Sequence, residues 1–136
     1  MIQQIFNIKD YWEVTVFYNV NYNLFYIIAD LLSEIGASNN LIKDIYSNMK
    51  SGKAKAVTYS NSDKHVSIVL FNKHATKEDY LNSIVHEAEH IKQAMLRTYE
   101  VEDKGEAPAY TIGYLVSQMW YVFKEMVCGD TLYLSD

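Results

Sequence analysis

The chain reads as an α+β domain, and three observations predict it. Apolar residues recur at helical spacing in several separate segments. Two β-type runs flank a polar turn near the middle of the chain. The run His86-Glu87-Ala88-Glu89-His90 then lies in a long helical stretch that follows those strands directly. With 136 residues, 49% hydrophobic and 21% charged, the chain fits one soluble globular domain with a core of its own. Trp12 to Tyr18 is β-branched and aromatic, which predicts a strand. After the polar cluster Asn19 to Asn23, the residues Leu24, Phe25, Ile27, Ile28, Leu31, Leu32 and Ile35 predict an amphipathic helix that stops at Gly36. Leu41, Ile42, Ile45 and Met49 predict a shorter helix over 40–50, closed by Gly52. Ala54 to Tyr59 and Val66 to Phe71 then predict a hairpin. Thr76 is placed to cap a helix from Lys77 to about Arg97, with Glu78 and Asp79 in its positive first turn. Leu81, Ile84, Val85, Ala88, Ile91 and Met95 form its apolar stripe, and His86, His90, Gln93 and Arg97 run along the stripe's edge. A last helix is expected from Glu106 to Val127, with Pro108 in its first turn and Ala109, Ile112, Val116, Met119, Trp120, Phe123 and Val127 as its buried face.

The chemistry concentrates in the helix at His86. Residues i and i+4 share a helical face about one turn apart, so two imidazoles can close on one metal ion with Glu87 beside them. That pattern is the H-E-x-x-H of zinc hydrolases. Catalytic zinc usually takes three protein ligands and keeps a fourth position open, so a third donor is needed. Glu106 is the leading candidate: a helix-turn-helix hairpin would return the first turn of the last helix toward His90, and Gly105, Ala107 and Ala109 allow close approach. Glu102 and Asp103 compete with it, and His65 and His74 stand further back as residues of a strand opening and a loop. Neutral imidazoles leave the ion its Lewis acidity, and Glu87, not itself a ligand, is expected to act as general base. Glu89 is read as a solvated residue or as one that supports the metal ligands from behind them. The strand from Val66 to Phe71 is expected to offer an edge for an extended peptide.

Composition narrows the partners. A net charge of −5 with no basic stripe argues against nucleic acid. No segment is long and apolar enough for a membrane span, and no secretory leader pattern is present, so a cytoplasmic protein is expected. The single Cys128 has no disulfide or metal-spaced partner and reads as a small apolar filler. Twelve tyrosines imply many rings packed with the hydroxyl wet, or displayed at an interface.

Over residues 54 to 127 the chain resembles the zincin metallopeptidases. The features that carry the resemblance are the hairpin, the His86-Glu87-Ala88-Glu89-His90 helix and Glu106-Ala107-Pro108-Ala109-Tyr110 at the start of the next helix. In particular it is similar to the gluzincin arrangement, whose third ligand is a glutamate, and to ImmA/IrrE-like and small phage or mobile-element zincins. The resemblance implies a zincin-like α+β fold and Zn2+ held by His86, His90 and Glu106. It also implies hydrolysis of a peptide or protein substrate with Glu87 polarising the water, in the host cytoplasm if the chain is phage-encoded. The gap from His90 to Glu106 is shorter than in large gluzincins. Tyr110, one turn beyond Glu106, is a candidate hydrogen-bond donor to a developing oxyanion. The alternative is a catalytically silent binding, regulatory or virion-associated protein that keeps the fold.

Overall fold

The computed structural model describes residues 1–135, with side chains for residues 1–126. Strands β1 (Ile2–Ile8), β2 (Trp12–Tyr18), β3 (Ala56–Asn61) and β4 (Val66–Phe71) form one mixed sheet in the order β1-β2-β4-β3. The outer pairs are antiparallel and the central β2–β4 pair is parallel. Helices α1 (Phe25–Glu34) and α2 (Asn39–Lys50) make the connection between β2 and β3, and α3 (Lys77–Tyr99) and α4 (Glu106–Ser135) follow β4. The α+β expectation holds, as a sheet with a helical layer on each face.

Alternation along the two central strands builds both layers. Val14, Val16 and Tyr18 of β2, with Val69 and Phe71 of β4, pack against Ile84, Ala88 and Ile91 of α3 and Leu115, Met119 and Phe123 of α4. Phe17, Ile68 and Leu70 point the other way, onto Ile28 and Leu32 of α1 and Ile45 and Met49 of α2. A strand buried on both faces reads as a near-continuous apolar run, as Val66 to Phe71 does except at Ser67. Each buried Val, Leu, Ile, Phe or Met among them contributes about 1.5–3 kcal/mol through removal from water.

Local signals set the helix ends. Ser38 and Thr76 accept hydrogen bonds from the backbone N–H of Leu41 and Asp79, each at 3.1 Å, and so cap α2 and α3. At its other end α3 stops at Glu100, whose φ of 55° is left-handed and turns the chain toward α4.

Four features differ from the sequence reading. Strand β1 was not anticipated, because Gln3-Gln4 interrupts its alternation and Phe6 is its one buried residue. Strand β4 is interior, since β2 adds to it in parallel; the edge beside α3 is β3, so the expected peptide edge at Val66 to Phe71 is not available. On α3, Leu81 and Val85 are exposed while Glu87, Lys92, Ala94 and Leu96 are buried. On α4, Trp120 and Ala109 are exposed and Leu115 takes a core position. The readings of Val127 and Cys128 concern side chains outside the described residues. No described helix is long and apolar enough to cross a membrane.

Candidate metal centre

Two elements build the centre. β3 alternates, sending Val57 and Tyr59 to the α1–α2 layer and leaving Ala56, Thr58 and Ser60 on the side of α3. On α3, Glu87 and Ala94 turn toward that strand, and His86, His90 and Arg97 flank them at the solvent edge. These residues line an open cleft of about 340 Å³ between β3 and α3.

The imidazoles of His86 and His90 are exposed and approach edge-on at 79°, with 3.2 Å between their Nε2 atoms. Two nitrogens bound at zinc's usual 2.0–2.1 Å and at a tetrahedral angle stand about 3.3 Å apart. The pair therefore already has the bite that one ion requires. Glu87 completes the only group of three metal-capable side chains among the described residues, with donor atoms all within 4.8 Å of one another. Its side chain is 4% exposed and Oε1 accepts a hydrogen bond from Thr58 Oγ1 at 2.9 Å. A buried carboxylate with one neutral partner is costly unless a positive charge stands near, and a cation at the imidazoles would supply it. The donor chemistry thus fits a divalent ion of zinc's type.

The other predicted residues fall elsewhere. Glu106 opens α4 as an exposed residue outside the gathered group. The reason lies in the α3–α4 turn: Asp103 is held by Lys92 Nζ at 3.0 Å and by Gln93 Nε2 at 3.1 Å. Lys92 is five residues beyond Glu87 and so about 140° around the helix from it. Glu102 pairs with Lys104 at 3.0 Å, in solvent. Tyr110 is 74% exposed and lines a separate apolar groove with Ile8, Tyr11, Met95 and Tyr114. Met95 is nine residues from His86, half a turn away on the opposite side of α3, so the groove that holds Tyr110 and the cleft that holds the histidines lie on different sides of the helix.

His65 and His74 are engaged in the framework. His74 bonds the Asn72 carbonyl and Ser83 Oγ, each at 2.7 Å, and His65 stacks on Trp12 and meets Tyr99 Oη at 3.1 Å. The sequence reading missed Thr58 and Ser60, although small hydroxyl residues at alternate positions of a strand were the available signal. Compared with protein-family models, with curated proteins and with solved structures, the chain matches none.

Proposed function

We propose that the chain is a zinc-dependent metallopeptidase of zincin type. The observation that carries this reading is the 3.2 Å separation of the two imidazole nitrogens beside a buried Glu87. His86 and His90 hold the ion, and Glu106 is the proposed third donor; to reach them, the α3–α4 turn has to release Asp103 from Lys92. Bound there, the ion would act as a Lewis acid toward a carbonyl and lower the pKa of a water to about 7. Glu87 accepts the proton of the attacking water and passes it to the leaving amine. Thr58 holds one Glu87 oxygen at 2.9 Å and leaves the other free for that transfer. The substrate is an extended peptide lying along β3, whose outer edge borders the cleft.

A second reading is favoured by one observation. Glu106 stands outside the group and the cleft has a single strand as its wall, as in a zincin-like protein that binds a partner without hydrolysing it. The deciding experiment is metal analysis of native protein together with peptide hydrolysis by wild type and Glu87→Gln. One equivalent of zinc in both, with hydrolysis only in wild type, supports the peptidase. Zinc-loaded wild type that cleaves nothing in a broad peptide library supports the binding module.

A further inference from the structure

Among the described residues, the guanidinium at the far end of the cleft has no hydrogen-bond acceptor. Arg97 lines the same cleft as His86, Glu87 and His90, and it has no ion-pair partner among the described residues. It follows His90 by seven residues, about 10 Å along the helix axis. Ser60 of β3 belongs to this end. Its Oγ lies 2.6 Å from Ser67 Oγ, which accepts Trp12 Nε1–H at 2.9 Å, and Trp12 packs beside Tyr99 at the C-terminal end of α3.

The direction of these hydroxyl protons can be worked out. Trp12 Nε1 only donates, so Ser67 Oγ accepts from it. Ser67 is 1% exposed, and its own proton has Ser60 Oγ as its one acceptor among the described residues. A buried donor left unmade would cost about 1–3 kcal/mol, so Ser67 donates to Ser60. Ser60 is half-buried, and its own proton is then free to enter the cleft. A hydroxyl proton and a guanidinium thus face the same space.

From this we infer that Arg97 and Ser60 form a carboxylate-binding subsite that selects substrates carrying a carboxylate on one side of the bond to be cleaved. The inference rests on the peptidase reading for its functional meaning, but the binding it predicts does not. Glu87 would repel an anion, and it lies ten residues, about 15 Å in axial rise, from Arg97, so the cleft is polarised with its attractive end away from the histidines. An extended peptide advances about 3.3–3.6 Å per residue, and helix side chains lean toward the N-terminus. The carboxylate of the substrate therefore falls two to three residues from the carbonyl at the imidazoles. A planar guanidinium bonds a carboxylate through two parallel N–H donors, which a lysine cannot reproduce.

The test is a binding measurement that needs no turnover. Tetrapeptides of one sequence, with a free C-terminal carboxylate, with a C-terminal amide, or amidated with a glutamate as the last residue, are titrated by calorimetry into Glu87→Gln protein with and without zinc. The free acid is expected to bind about ten-fold more tightly than the amide, the size of one charge-assisted pair. The glutamate-containing amide shows whether a side-chain carboxylate serves as well as a terminal one. Adding Arg97→Ala is expected to bring the acid-to-amide ratio to about one, Arg97→Lys to restore part of it, and Ser60→Ala to lower it a few-fold. Equal binding of acid and amide, a ratio that survives Arg97→Ala, or no binding of any of the three peptides at millimolar concentration overturns the subsite. Selective binding of the acid by a wild-type protein that hydrolyses nothing keeps the subsite and removes the peptidase. Hydrolysis that ignores the carboxylate does the reverse.

Discussion

The two flanks of α3 treat polar side chains in opposite ways. On the α4 flank Lys92, 7% exposed, reaches Glu89 at 2.9 Å and Asp103 at 3.0 Å, and Gln93 bonds both carboxylates. Two carboxylates there share one ammonium and one amide. On the β3 flank His86 and His90 bring their Nε2 atoms to 3.2 Å, Glu87 is buried on one neutral hydrogen bond, and Arg97 and Ser60 line the cleft. One helix therefore carries a closed polar network at the α3–α4 turn and, on the other flank, polar groups that the neighbouring strand matches only in part. Buried polar groups left incompletely matched are where binding chemistry belongs.

The contrast can be broken from the open side first. His90→Ala is expected to reduce bound zinc from about one equivalent to none and to abolish hydrolysis, whereas Glu87→Gln keeps the metal and slows hydrolysis by about 10²–10⁴. Metal analysis and peptide turnover on the same preparations read both. Glu106→Gln comes next: as third ligand it should weaken zinc about ten-fold or more, measured by competition with a chelator. Unchanged affinity would leave the ion to the two imidazoles and favour the non-catalytic reading.

Smaller effects sharpen the difference between the flanks. Thr58→Val strips Glu87 of its hydrogen bond and should cost about 1–3 kcal/mol in denaturant unfolding of metal-free protein, while Thr58→Ser stays close to wild type. On the closed flank Lys92→Met should cost about 1 kcal/mol, because its carboxylate partners are solvent-accessible, and should leave the two imidazoles able to take up zinc. A large stability loss there would contradict the view of Lys92 as a clasp between accessible groups.

The same clasp gives a pH signature. The Lys92 ammonium, then Gln93, hold the Glu89 carboxyl below its ordinary 4.5, and the Glu89 carboxylate, then Asp103, lift Lys92 above its ordinary 10.5. A lowered carboxyl contributes stability that is present above 4.5 and lost as pH falls through the folded-state value. A raised amine contributes stability that is complete below 10.5 and lost as pH rises through its folded-state value. The stability difference between wild type and Lys92→Met should therefore be flat through neutral pH and shrink toward both extremes. A difference that stays constant into strong acid would show that packing of the lysine stem, and not charge, accounts for it.

Much of the architecture was legible because it rests on periodicity. The 3.6-residue spacing of Ile28, Leu32, Ile84, Ala88 and Ile91 and the apolar run Ile68 to Phe71 of β4 locate elements whichever way the chain folds. What escaped the sequence depends on which element lies next to which. The parallel union of β2 and β4 leaves no local mark, so the edge beside α3 was assigned to the wrong strand. The histidine pair was visible because its geometry is contained in one helical turn. Glu106 and Tyr110 rest on nearness in sequence, and the fold places Glu106 at the exposed start of α4 and Tyr110 in a groove with Met95. Thr58, Ser60 and the outward proton order of Ser67 required the sheet register.

That parallel union also fixes an order of assembly. β2 and β4 are separated by residues 19–65, which include α1, α2 and β3, so their pairing joins distant parts of the chain and is slow compared with forming any one helix. The wall of the cleft hangs on β4, and the helix bearing the histidines rests on the sheet that β4 completes. On the proposed reading, the full geometry for a metal ion would be completed late in folding. A substitution at Ile28 or Leu32, on the far side of the sheet from the cleft, would delay maturation of the centre without touching any residue in it.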